Sequence, residues 1–168
     1  MEDTFNINNY IGDGFKKVCN VILDPEEDQF WLYSDIDESI MFDTHSSWLY
    51  NIVVDDEIVK HGETGQPLGI RVASGQPWSS TKCRLGRYRR QQGKHDTDAT
   101  IRQALYEEVK AGRVSIWARR CQVITIPVLI GGVIHETVYE IHKDLEKRYL
   151  RDMLEKGGRL PRLNKAHS

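Results

Sequence analysis

The chain has 168 residues, 39% hydrophobic and 29% charged, which supplies one compact core and excludes a disordered tail protein of a single charge sign. No apolar run approaches the roughly 20 residues that cross a bilayer, and the opening Met1-Glu2-Asp3-Thr4-Phe5 lacks the basic-then-apolar order of a signal peptide, so the expectation is a cytoplasmic protein without a membrane partner. The net charge of −2 conceals an asymmetry: residues 1–57 hold 14 acids and 2 bases, and residues 58–168 hold 11 acids and 21 bases, or −12 against +10.

A single domain over residues 1–168 is expected, with residues 1–45 as an acidic accessory segment and residues 46–168 as the core with insertions. Within 1–45 periodicity is weak. Asp24-Pro25-Glu26-Glu27-Asp28 reads as a turn, and Phe30-Trp31-Leu32-Tyr33 as a short apolar piece, strand or packing anchor. From Trp48 the pattern sharpens into a hairpin. Residues 48–54 are β-branched and aromatic, Asp55-Asp56-Glu57 is a polar turn, and Ile58-Val59-Lys60-His61-Gly62 resumes as a strand. Residues 65–69 form a Gly/Pro turn, and Ile70-Arg71-Val72-Ala73 reads as a short helix.

Residues 82–94 carry Lys82, Arg84, Arg87, Arg89, Arg90 and Lys94 with no acid among them, a density that suits a phosphate-contacting segment. Residues 98–110 place Ile101, Ala104, Leu105 and Val109 at helical spacing, and Gly112 stops that helix. Strands are expected at 114–117 and 121–130, with Gly131-Gly132 as a two-residue hairpin turn into Val133-Ile134 and Pro127 marking an edge or bulge. A final helix runs from about Glu140 or Asp144 to Lys156, with Leu145, Tyr149, Leu150, Met153 and Leu154 on one side and Gly157-Gly158 at its end.

Single residues decide little about chemistry. A strand tyrosine such as Tyr50 is ordinarily a packing residue, Lys60 an ordinary strand lysine, and Glu146 one of several helix carboxylates. The three cysteines (Cys19, Cys83 and Cys121) are scattered and lack zinc spacing, so buried or inert thiols are expected. His45 and His61 are possible proton carriers, with packing or DNA contact favoured for His61. His135 and His142, seven apart, would share a helical face but lack partners at metal spacing. Arg119-Arg120 suits phosphate contact.

Order and spacing carry more. Trp48-Leu49-Tyr50, then Lys60-His61-Gly62, Thr64, Pro67-Leu68 and Arg71 resemble the signature of the GIY-YIG nuclease superfamily. Glu146, Leu150 and Leu163-Asn164 look like its metal-binding glutamate and closing Leu-Asn. The resemblance covers roughly residues 48–75 and 140–164. Lys60 replaces the second motif tyrosine, which is similar to a subgroup of type II restriction endonucleases in that superfamily, and residues 155–161 read as an insertion before Asn164.

The resemblance implies an α+β fold: a small central antiparallel sheet of about three core strands plus extra hairpin strands, flanked by helices. It also implies phosphodiester hydrolysis in double-stranded DNA by Tyr50, Lys60, Arg71 and Glu146. Tyr50 as phenolate would take the proton of the attacking water; a tyrosine pKa of about 10 makes that difficult unless the Lys60 ammonium assists, and a neutral Lys60 is the alternative base. Arg71 would clamp the phosphoryl oxygens, and Glu146 would hold one Mg²⁺ (or Mn²⁺) per active site. Residues 82–94 and Asn164 would contact DNA. Cutting both strands with one site per chain favours a homodimer. The rival expectations are a non-cutting DNA-binding module on the same scaffold, a repair or homing-type nuclease, and a protein-interaction domain that uses the acidic first third.

Overall fold

The structure is a computed structural model that describes residues 4–25, 31–41, 43, 45–65, 101 and 103–164. The expected segments around Arg71 and at residues 82–94 lie outside the described residues. Seven strands form two antiparallel sheets. β1 (Lys16–Leu23), β2 (Trp31–Ser34), β3 (Ser47–Val54), β4 (Glu57–Thr64) and β5 (Val114–Cys121) build a five-stranded sheet in the order β2-β1-β5-β3-β4, and β6 (Val123–Ile130) pairs only with β7 (Val133–Glu140). Helices flank the larger sheet: α1 (Glu38–Met41), α2 (Tyr106–Lys110) and α3 (His142–Gly157), with a 3-10 turn at Ile7–Tyr10. The protein is α+β with a mostly antiparallel sheet, as the sequence implies.

The hairpin of β3 and β4 follows from its residues. β-branched and aromatic side chains line β3, every residue of which is buried, and Asp55 turns the chain with a positive φ of 54°, a conformation that aspartate tolerates better than most residues. The strand from Val114 extends to Cys121, and at Gln122 the chain leaves the large sheet, so 121–130 is not one strand. The first third is more than an appendage. β1 and β2 supply two of the five strands, and β1 joins the sheet beside β5 through residues far apart in sequence.

Two apolar clusters sandwich the sheet. On one face Trp48, Tyr50, Ile52 and Val54 of β3 pack with Ile116, Ala118 and the Ile101, Leu105 and Val109 stripe. These last three match the expected helical spacing, whereas Ala104 is exposed. On the other face Leu49 and Val53 pack with Phe5, Ile7, Phe15, Ile58 and Met153, and Leu145 and Tyr149 of α3 close over them. In α3 the stripe is narrower than expected, because Leu154 is 47% exposed. Gly158 ends the helix at a φ of 68°, its N–H donating to the Leu154 carbonyl, the αL stop that glycine permits. The opposite charges of the two parts meet on the surface: Arg113 pairs with Asp55 at 3.2 Å, Arg120 with Asp43 at 2.5 Å and Arg159 with Glu57 at 3.3 Å. Exposed pairs of this kind stabilise by well under about 1 kcal/mol each, so they orient the segments more than they hold them.

β4 is an edge strand, and its outer hydrogen-bonding groups are covered at both ends. The Ile58 N–H donates to the Phe5 carbonyl at 2.6 Å, and the Leu163 N–H donates to the Val59 carbonyl at 2.9 Å. Asn164 completes the cover: the His61 N–H donates to its Oδ1 at 2.8 Å, and its Nδ2 donates to the His61 carbonyl at 2.8 Å. Its carboxamide thus imitates a neighbouring strand and blunts the edge. Asn164→Ala is expected to lose about 1–2 kcal/mol of stability, read as a lower urea midpoint; an unchanged midpoint would count against this fastening role.

Candidate active site at the outer edge of β4

Tyr50 and Lys60 come together because of an irregularity. In the β3–β4 ladder Val53 opposes Ile58 while Ile52 opposes Lys60, so Val59 is an extra residue in a bulge. The bulge changes the face on which everything after it points. Lys60, Gly62 and Thr64 thereby share the face of Tyr50 and Ile52, while His61 and Glu63 turn to the side of α3.

Gly62 lies directly opposite Tyr50. A Cβ on Gly62 would sit 2.6 Å from Tyr50 Cζ and 2.7 Å from its hydroxyl. The phenol therefore lies across the glycine with its hydroxyl end over the edge strand. Only glycine leaves room for it, and the reason is space and not backbone freedom. Tyr50 is buried and Lys60 half-buried on that same face.

Glu146 approaches β4 from the other side. Along α3, His142 lies against Gly65, with its ring 3.1 Å from the position of a Cβ there, and Tyr149 stacks beside His61 with ring centres 5.4 Å apart. Glu146 lies between these two along the helix and is half-buried. The helix rests on the face of the sheet opposite Tyr50. Arg71, the fourth residue of the expected set, lies outside the described residues, as do Lys82, Arg84, Arg87, Arg89, Arg90 and Lys94.

Two partnerships on the α3 side were not foreseen from spacing. His142, almost wholly buried, places Nε2 3.2 Å from Glu63 Oε2 and 3.8 Å from Glu140 Oε2. It pins the start of α3 to the end of β4, one turn before Glu146. His135 sits on β7, so it shares no helical face with His142. His61 is fully buried with its Nδ1 2.7 Å from Asn51 Oδ1. Alternation in β3 and β4 would have placed Asn51 and His61 on one face had the bulge been visible.

Burial drives the His61 pKa down to about 3, with the Lys60 ammonium adding to the effect. A neutral, enclosed imidazole takes up no second proton in the working pH range, so His61 packs and is no proton shuttle. The folded pKa lies below the unfolded value of about 6.5, so its contribution to stability is complete above pH 6.5 and is lost as the pH falls from there towards 3. The change from pH 7 to pH 5 is worth about 2 kcal/mol. Urea midpoints at the two pH values should show this loss in the native chain and a shallower one in His61→Leu; equal losses in both would contradict it.

Tyr149 is likewise removed from acid–base work. Burial pushes its phenol up to about 12, and its oxygen accepts from Arg119 Nη1 at 2.6 Å while its hydroxyl donates to Asp13 Oδ2 at 3.0 Å. Arg119 and Arg120, adjacent in sequence, diverge: Arg120 lies over Trp48 on the other face and pairs with Asp43. Cys19 and Cys121 are buried and outside any disulfide, and burial raises the Cys121 pKa, which keeps that thiol in its unreactive protonated form.

A divalent metal fits this donor set in one way. Among the described residues no three or more His, Cys, Asp or Glu side chains gather to cage an ion. Mg²⁺ and Mn²⁺ do not require a cage, because a hard cation of this size keeps several waters and takes one or two carboxylates. A single carboxylate such as the half-buried Glu146 is of the kind that demand calls for.

Two solved structures share this architecture. Restriction endonuclease HPY188I in complex with product DNA superposes with a TM-score of 0.53 at 16% identity, over 95% of this chain and 86% of that one. A mutant of bacteriophage T4 EndoII superposes with a TM-score of 0.60 at 14% identity, over 94% of this chain and 97% of that one. The likeness is one of fold. No family model and no curated protein matches the chain.

Proposed function

We propose that the protein is a metal-dependent, sequence-specific endonuclease of double-stranded DNA, of the GIY-YIG type and similar to type II restriction enzymes. The observation that carries the reading is the packing of Tyr50 across Gly62 with Lys60 on the same face, which gives the resembled motif a physical reason for its tyrosine and its glycine. The fold shared with two endonucleases supports it.

The residues divide the work as follows. Water attacks the scissile phosphorus, and its proton passes to Tyr50 as phenolate or to a neutral Lys60. The two are distinguished by their pH–rate profiles after Tyr50→Phe and Lys60→Ala. A charged Lys60 favours the phenolate; a desolvated one serves as the base itself. Arg71 clamps the phosphoryl oxygens as negative charge develops. The bond from phosphorus to the leaving oxygen breaks as the new one forms, and Glu146 would hold the divalent ion that would supply neutralisation of the negative charge there. Lys82, Arg84, Arg87, Arg89, Arg90 and Lys94 hold the phosphate backbone and make binding salt-dependent. Asn164, engaged with His61, acts on DNA only through the placement of β4.

Sequencing the fragment ends from a genomic DNA digest tests this reading. A single recurring sequence at the ends, cut in both strands, is expected; ends without sequence preference, or cuts only at forks and nicks, would replace it with a repair-type nuclease.

A further inference from the structure

We propose that the ribbon of β6 and β7 is the surface through which two copies of this chain associate, each presenting its Ile124 face to the same face of the other. The ribbon turns at Gly131-Gly132, whose φ values of 59° and 81° are the positive ones that a primed two-residue hairpin demands. Its register sets Ile124 opposite Tyr139 and Ile130 opposite Val133, so that Ile124, Ile126, Ile130, Val133 and Tyr139 share one face. Leu129, Ile134 and Val138 lie on the other. All eight are exposed, from 41% at Ile124 and Ile126 to 70% at Ile134.

A pair of eight-residue strands standing alone is marginal in water, and among the described residues these strands pair only with each other. The five apolar residues of the Ile124 face expose on the order of 500 Å², a patch of the extent that marks a binding surface, and pairing two such faces would bury roughly 1,000 Å² in all, the lower bound for a specific interface. Charge identifies the occupant. From Gln122 to Ile141 there is no lysine or arginine, and the carboxylates Glu136 and Glu140 fall on the Leu129 face. A surface without cations is unsuited to DNA phosphates or to an anionic lipid surface.

A two-fold contact puts each residue against a copy of its own patch, so any charge there meets its like. The Ile124 face bears no Asp, Glu, Lys or Arg and is self-complementary. Pro127 removes an N–H from β6 and blunts that edge, which favours face-to-face packing over extension of the ladder. Tyr139 donates to Asp144 on α3, coupling the ribbon to the helix that bears Glu146.

The proposal deepens the two-fold arrangement inferred above for cutting both strands. Its test is sedimentation equilibrium of the full chain, alone and as Ile126→Glu/Val133→Glu, with Glu136→Lys on the opposite face as a control. The native chain and the control should sediment at twice the 19.4 kDa chain mass, and the double variant at the chain mass with an unchanged far-ultraviolet circular dichroism spectrum. Dimerisation should weaken by at least roughly 100-fold. A native chain that is monomeric at all concentrations overturns the proposal, as does a double variant that dimerises as tightly as the native chain. A native dimer that cuts no DNA leaves the interface standing and removes the nuclease reading instead, so the two failures are separable.

Discussion

Gly62→Ala is expected to cost about 1–3 kcal/mol of stability by overpacking and to lower DNA cleavage at least about 100-fold. The new methyl carbon would meet Tyr50 Cζ at 2.6 Å and the hydroxyl at 2.7 Å. Tyr50 is 1% exposed and enclosed with Trp48, Ile52 and Val59, so it has no open space to swing into. The ring must shift, and the hydroxyl leaves its place over the edge strand. The coupling is readable in a double-mutant cycle: in a Tyr50→Ala background the alanine at position 62 should cost far less than in the native chain. Equal costs in the two backgrounds would show that Gly62 answers to something other than the tyrosine.

Tyr50→Phe isolates the hydroxyl. The ring and its packing remain, so stability should change by no more than about 1 kcal/mol, while the cleavage rate should fall by about 10²–10⁴ through loss of the proton acceptor or of its contact with the reacting water. The measurement is single-turnover cleavage of an oligonucleotide duplex that contains the recognised sequence. A variant of native stability and native rate would leave Tyr50 as a packing residue and shift the base to Lys60. A variant that loses both together would mean that the hydroxyl serves the core.

Part of this was legible in the sequence for physical reasons. The β3–β4 hairpin declared itself because aromatic and β-branched residues meet a polar turn. The ribbon did so because two adjacent glycines can both take a positive φ. The final helix did so through its apolar spacing and its glycine stop. β1 was not legible, because Lys16–Leu23 becomes a strand by pairing with β5, about a hundred residues away, and local pattern does not encode that. The bulge at Val59 was hidden for a related reason: a one-residue slip appears only when both strands are in register, yet it decides that Lys60 shares the face of Tyr50. Asn164 was matched as a site residue by type and order, whereas its hydrogen bonds make it a fastener of the chain end to β4. His142 and Glu63 escaped notice because a side-chain contact between a strand end and a helix start has no spacing rule.

The proposed function requires Glu146 to be the carboxylate that would hold a divalent ion. The most direct measurement is cleavage of unmodified phage genomic DNA by the native chain and by Glu146→Ala across a Mg²⁺ titration, with binding followed in parallel by gel retardation. The account predicts discrete fragments that appear with Mg²⁺, are absent without it and are lost in the variant, which still retards DNA. Cleavage by Glu146→Ala with the native dependence on Mg²⁺ would contradict it, and retardation without cleavage by the native chain at any Mg²⁺ concentration would leave a DNA-binding module on a nuclease fold.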